Sequence, residues 1–507
     1  MSSSRTRNVS INIGVAFICQ VINLALNFIS RTVFVKYLGV EYLGVNGLFT
    51  DILLILSFAE LGIGNAIVFS MYKPLAEQDE SKLCSLLALY KKAYKIIFFI
   101  VIVFGLIIVP FLPIIIKEQP SIDESLVIIY LLFLLNSALS YTYVYKKSII
   151  IADQKNFIVL SITEVTHIIQ IVLQIFMLYL HSYYGFLISQ IVFTLAGNII
   201  CSRYANKHYS YINKTAQPLV ESERKDIFRN VGAMALYKLG SVVLGGTSSV
   251  ILSSTINVAI VGVVSNYVLL SNACNSILMK IADAFTASVG NLGVTADSEK
   301  KYDVFKKILL ITVWLFGLAA VGLWVISNSL IEIWLGKDYL LDNFAVFAVV
   351  LGFYIQGIHS AEVTFRITLG YFVKGKWAPL GSSVLNVLLA FVLGYYWGAA
   401  GVLLAVPLAR MLCIGVVDTL LLYKNAFHQH PIKYYIDNLK FFILMVVISL
   451  ICSYLIKVVS IGGIWGLFVQ GIIVLFVYNG VMFICFARTK ELKGIVEMAK
   501  SLIKNKI

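Results

Sequence analysis

The sequence predicts an all-α integral membrane protein of about fourteen transmembrane helices. They form two parallel six-helix lobes plus two extra C-terminal helices, with both termini cytoplasmic. Three observations predict this. The chain of 507 residues is 60% hydrophobic and only 13% charged, where soluble domains carry about 25% charged residues. Apolar stretches of about 20 residues, enough to cross a bilayer, recur from end to end. The chain also matches itself at a fixed offset of 218 residues. An outer-membrane barrel would instead show short segments of alternating polarity, which are absent.

Taken in order, the apolar runs fall near 10–36, 43–72, 92–116, 124–145, 157–180, 183–203, 229–254, 258–290, 308–328, 343–370, 377–396, 400–423, 440–459 and 463–487. The polar start, with Arg5 and Arg7, leads into the first run without a small-residue cleavage site, so that span is expected to be retained. Several runs exceed what a bilayer needs, which predicts tilt or helical extension into water. Pro110 and Pro113 close the third; Pro379 and Pro407 predict kinks in the eleventh and twelfth. Seven cysteines are scattered along the spans with no C-x-x-C, so neither a disulfide framework nor a metal site is expected.

With both termini inside, 31 of the 40 Lys and Arg residues lie on inner segments, and only Lys36, Lys117, Lys337 and Lys457 on outer loops. This orientation satisfies the positive-inside rule and its inverse violates it throughout. The formal charge of +14 is therefore topological, and nucleic acid drops out as a partner.

The internal match runs without a gap from Asn12 to Lys82. It includes Val40/Val258, Gly44/Gly262, Asp79/Asp297 and Lys82/Lys300, and loops fall on loops. Six spans is an even number, so the two copies share one orientation, a transporter architecture with the site expected between the halves. The expected division is 1–205 (N-lobe, spans 1–6), 206–228 (basic cytoplasmic linker), 229–425 (C-lobe, spans 7–12) and 426–507 (spans 13–14 and a basic tail).

Five basic residues remain inside the spans: Arg31, Lys238, Lys280, Arg366 and Arg410. Six acids join them: Asp51, Glu60, Glu164, Asp283, Glu362 and Asp418. A charge at mid-bilayer costs about 2.5–3.5 kcal/mol even on the lenient insertion scale, so such groups should face water or each other. Lys280 with Asp283 (i, i+3) and Glu362 with Arg366 (i, i+4) have the spacing to neutralise themselves on one helix. Arg366 and Asp418 also lie near inner ends, where snorkelling is easy. Arg31 and Asp51 stand at similar depth on adjacent helices, where pairing is one alternative to a ligand role, and pairing with Lys238 is the alternative to a coupling role for Glu60. Arg31, Lys238 and Arg410 are the first candidates for binding an anion, with Lys280 and Arg366 completing a cationic set. Glu60, Glu164 and Asp51 are candidates for ion coupling.

The run from Arg31 to Tyr94, with LGVEYLG, FAELGIGNAI and MYKPLAEQD ahead of a lysine-rich helix, resembles the Wzx-type polysaccharide-repeat-unit flippases. These belong to the multidrug/oligosaccharidyl-lipid/polysaccharide exporter (MOP) superfamily. Shorter echoes follow in order: Val264-Ser265-Asn266-Tyr267, Gly290-Asn291-Leu292, Ile333-Trp334-Leu335-Gly336, and Phe365-Arg366 with Gly370-Tyr371. In one departure, Gly246-Thr247-Ser248-Ser249 lacks the acid relatives often carry there, so ion coupling at that run is not carried over.

The resemblance implies a non-enzymatic flippase in the bacterial cytoplasmic membrane. It would carry undecaprenyl-pyrophosphate-linked oligosaccharide from the inner to the outer leaflet for capsule, exopolysaccharide or related surface polysaccharide. Membrane lipids, a polysaccharide polymerase and assembly proteins are the implied partners. No cofactor is expected beyond coupling to H+, Na+ or the membrane potential. Two alternatives share the superfamily: a drug or cation antiporter, which needs an acidic and sparsely cationic path, and a lipid II flippase. A membrane-embedded polymerase or glycosyltransferase would need a sizeable catalytic loop, and the outer loops reach only about 15–20 residues.

Overall fold

A computed structural model describes the backbone of residues 2–60, 63–213, 219, 221–295, 297–369, 371, 374–459 and 461–504. Within these ranges it omits the side chains of 2–10, 13, 58–59, 63, 65–66, 213, 222–224, 226–238, 282–295 and 498–504. The described chain is helical throughout and divides into two compact units, Met1–Gly262 and Val263–Ile507.

The first unit opens with α1 (Ser2–Leu38), followed across a turn at Gly39 by α2 (Val40–Leu56) and α3 (Ile63–Glu77). The sequence reads 43–72 as one span, but the backbone tightens into a 3₁₀ turn at Ser57–Glu60, ahead of the glycine-containing run Leu61–Gly64. Glu60 therefore stands at a helix break. Next come α4 (Glu80–Ile108), the short α5 (Leu112–Ile115) and the pair α6 (Leu126–Ser140) and α7 (Val144–Ala152), bent by 42° where Tyr143 adopts a positive φ. The unit continues with α8 (Asn156–Tyr179), α9 (Tyr183–His208), α10 (Glu221–Thr255) and the start of α11 (Val258–Thr295). Within it α1 packs along α8, α8 along α9, and α2 along α10.

Two of the repeat identities have a structural cause. Asp79 caps α4 by accepting from the Lys82 amide at 2.9 Å, and Asp297 caps the next long helix by accepting from the Lys300 amide at 3.1 Å. The shared D-x-x-K is thus a helix start, where a carboxylate satisfies an orphan N–H. Gly44 and Gly262 meet where α2 crosses the first turn of α11. A Cβ on Gly44 would lie 2.0 Å from the Val258 carbonyl oxygen, and one on Gly262 would lie 2.5 Å from the Val40 carbonyl oxygen. Only glycine lets the two backbones approach this closely.

The second unit holds the rest of α11, then α12 (Ser298–Trp334), α13 (Asn343–Thr368) and α14 (Ala378–Ala409). The predicted eleventh and twelfth spans follow as two helical stretches within Ala378–Phe427, separated at Gly398 (φ 55°, ψ −135°), a conformation glycine adopts without a Cβ penalty. Past Pro407 the run loosens into a π-helical turn at Arg410–Gly415, resumes as α15 (Val416–Leu422), and loosens again at Tyr423–Phe427. Proline removes one donor from the i→i−4 ladder, and π turns are rare and frequent at functional sites.

The chain ends in α16 (Ile432–Val459), α17 (Gly463–Phe486) and α18 (Lys490–Lys504). Helix α12 is the hub of this unit and packs on α13, α16 and α17. The last contact is fixed by Trp314 Nε1 donating to Asn479 Oδ1 at 2.8 Å and Tyr478 Oη donating to the Val313 carbonyl at 3.1 Å. Among the described residues ten helices are long and apolar enough to cross a membrane, or eleven with the bent α6–α7 pair.

Candidate functional site

The charges that the sequence leaves among apolar residues are the natural place to look for chemistry, because each must be compensated locally. In the first unit the acids stay apart, and their recorded hydrogen bonds come from neutral groups. Asp51 on α2 accepts from the Ser249 hydroxyl on α10. Glu60 accepts from Tyr94 Oη at 2.8 Å, and Tyr90 Oη lies 3.4 Å further along the same chain. Glu164 on α8 accepts from Asn23 Nδ2 of α1 at 2.6 Å, while its other carboxylate oxygen is buried without a partner. Arg31 lies half-buried on α1. The side chain of Lys238, the alternative partner for Glu60, lies outside the described residues.

The second unit gathers its charge. His359, Glu362 and Arg366 occupy one face of α13 at i, i+3 and i+7, and Asp418 and Thr419 meet them from α15. The His359 ring lies between two carboxylates, with Nδ1 2.7 Å from Glu362 Oε2 and Nε2 3.1 Å from Asp418 Oδ2. Thr419 Oγ1 donates to the other Glu362 oxygen at 2.6 Å. Arg366 Nη1 lies 3.2 Å from the remaining Asp418 oxygen, a charge contact without hydrogen-bond alignment. Glu362 and Asp418 are 0% exposed and Arg366 is 1% exposed.

Two expectations are corrected here. Arg366 and Asp418 do not snorkel to an interface but are sealed against each other inside the unit. The neutralisation expected between Glu362 and Arg366 on one helix is spread over four residues on two helices, because α15 delivers a second acid to the same face. A guanidinium so enclosed is not open to a ligand.

This cluster forms one wall of a cavity of about 480 Å³ among α13, the Arg410–Gly415 turn and α16. His359, Glu362 and Arg410 reach it, together with Tyr434, Tyr435 and Asn438; the rest of its lining is Gly415 with Leu, Ile, Met and aromatic side chains. Of the other predicted cations, Lys280 is exposed on α11, and its expected partner Asp283 lies outside the described side chains. No group of His, Cys, Asp and Glu among the described residues has metal-binding geometry. The His359 ring separates the two acids, which share no vertex for an ion.

No family model matches the chain, and no curated protein matches it by sequence. Solved structures do. The lipid II flippase MurJ in an inward closed conformation superposes with a TM-score of 0.66 at 18% identity, covering 94% of this chain and 99% of that one. The chain shares the fold of this structure over nearly its whole length. An inward-facing multidrug resistance MATE family transporter of the MOP superfamily gives 0.63 at 14% identity, over 79% of this chain and 92% of its own. The Vibrio cholerae MATE transporter VcmN gives 0.57 at 15% identity, over 84% and 100%. The fold shared with these structures and the ten or eleven long apolar helices among the described residues fit a multi-pass membrane protein.

His359 is the functional candidate that reading the spans overlooked. H-x-x-E-x-x-x-R within a single apolar span puts three ionisable groups on one helical face, and that spacing was the available signal.

Proposed function

We propose that this protein is a flippase for polyprenyl-pyrophosphate-linked oligosaccharide repeat units, working by alternating access in the cytoplasmic membrane for surface-polysaccharide synthesis. The observation that carries the reading is one of extent. The likeness to a lipid II flippase spans 94% of the chain, against 79% and 84% for the two MATE transporters. The surplus points to a fold that shares the flippase's additional length. The Arg31–Tyr94 resemblance and the basic residues inside the spans point the same way.

The anionic pyrophosphate is met by Arg31, Lys238, Lys280 and Arg410, while the polyprenyl tail stays in lipid. Arginine offers a planar two-point fork to phosphate and lysine a point charge. Arg366 leaves the set because Asp418 already holds it. With the interior negative, each anionic charge moved outward gains about 2.3 kcal/mol per 100 mV, so the membrane potential favours export.

The test is deletion of the protein followed by a leaflet-resolved assay of polyprenyl-linked oligosaccharide. Accumulation on the inner leaflet is expected, and an unchanged distribution overturns the reading. Arg31→Ala and Arg410→Ala should express normally and lose translocation; normal translocation by both removes the cationic assignment. The MurJ likeness also favours lipid II as cargo. Proteoliposomes offered lipid II and a repeat-unit lipid side by side decide between the two.

A further inference from the structure

Glu362, His359 and Asp418 form a line of three titratable groups in which both ring nitrogens face carboxylate oxygens, at 2.7 and 3.1 Å. Ionised carboxylates only accept, so the ring must donate from both nitrogens, which makes it an imidazolium, or else one acid must carry the proton. Either way the line holds one proton more than a neutral imidazole between two carboxylates. With that proton the four charged residues Glu362, His359, Arg366 and Asp418 sum to zero; without it they leave a net charge of −1 in an enclosed site. The proton is also mechanical. His359, Glu362 and Arg366 all belong to α13, whereas Asp418 and Thr419 belong to α15, a segment of seven residues set between two π-helical turns. The other charged and titratable groups around it are Arg410 of the first π turn, Tyr423 of the second, and Tyr434 and Tyr435 of α16.

We propose that the Glu362–His359–Asp418 line is a proton-binding site that fastens α13 to α15, and that its proton exchanges through the adjoining cavity. Occupied, the imidazolium donates to both acids and holds the two helices together. When the proton leaves by way of the cavity, the neutral ring keeps one N–H. Its other nitrogen then turns a lone pair toward a carboxylate, and that contact becomes repulsive. Segment α15 is free to shift because the π turns on either side can take up a change of register. The cavity gives the route, since His359 and Glu362 both reach its wall. This site lies wholly within the second unit, apart from Glu60, Glu164 and Asp51, and it stands whatever lipid the protein carries.

Nitrogen NMR of the histidine-labelled full chain in lipid nanodiscs reads the site directly and needs no substrate. At neutral pH one of the six histidines should show two protonated ring nitrogens in strong hydrogen bonds, and His359→Gln should remove that signal alone. An electron-paramagnetic probe on α15 should gain mobility as pH rises through about 5 to 10 in the parent chain. In Glu362→Gln/Asp418→Asn, where the acids no longer demand a second N–H, the probe should be indifferent to pH. A single-N–H ring at His359 in the parent chain, or an α15 probe indifferent to pH, overturns the proposal even if lipid translocation is found. Failure of lipid translocation alongside the two-N–H signal and a pH-sensitive probe leaves the proton site standing and overturns only the substrate reading.

Discussion

The two units solve the same problem, buried charge, in different ways. In the first, Asp51, Glu60 and Glu164 lie apart and take hydrogen bonds from Ser249, Tyr94 and Asn23, all neutral donors. In the second, Glu362 and Asp418 are enclosed with His359 and Arg366 in one network. A carboxylate held by a neutral donor can gain or lose charge without stranding a partner. Inside a balanced network, removal of any member leaves an uncompensated charge in a low dielectric. The first arrangement is expected to tolerate substitution better than the second.

The sharpest way to break that contrast is Arg366→Ala. It removes one of the network's two cations, leaves its two acids facing His359 alone, and should lower stability by about 3–5 kcal/mol in detergent unfolding, as removal of one partner from a buried charge network does. A loss no larger than that of an isolated acid would erase the distinction. Next in size is Gly44→Val, which forces α2 away from the start of α11. Overpacking there should cost about 1–3 kcal/mol by the same measurement, without touching any charge. Asp79→Ala and Asp297→Ala test a device common to both halves of the repeat. Each removes a helix cap and should cost about 1 kcal/mol, the two alike within error. Smallest of all, Asp51→Asn and Glu60→Gln keep an acceptor for Ser249 and Tyr94 and should change stability by less than about 1 kcal/mol. A cost equal to that of Arg366→Ala would mean these acids also answer a buried cation.

Much of this was legible in the residues. Apolar run lengths gave the helices, because a lipid-facing backbone must satisfy its own hydrogen bonds and has no other economical way to do so. The 218-residue offset was visible, and its D-x-x-K element proved to be a helix cap. One break was harder to see. The turn at Glu60 interrupts a stretch whose composition stays apolar, and hydropathy does not register a change of direction, whereas the break at Gly398 falls in the gap between the eleventh and twelfth expected spans. The network around His359 was half legible. Its α13 members share a helical face, but Asp418 lies 59 residues further along the chain, and only the packing of α15 on α13 brings it there. Arg366 was misjudged for the same reason: position near a helix end suggested escape to the interface, and a second helix had closed that exit.

The crossing of Gly44 and Gly262 has a symmetry of its own. What position 44 presents to Val258, position 262 presents to Val40, so the contact is its own mirror under exchange of partners. Reciprocity of this kind is the signature of an isologous interface, the form that two identical subunits adopt about a two-fold axis. A contact within one polypeptide therefore has the geometry of a homodimer seam. Each glycine thus supplies for the other the room that its own close approach requires.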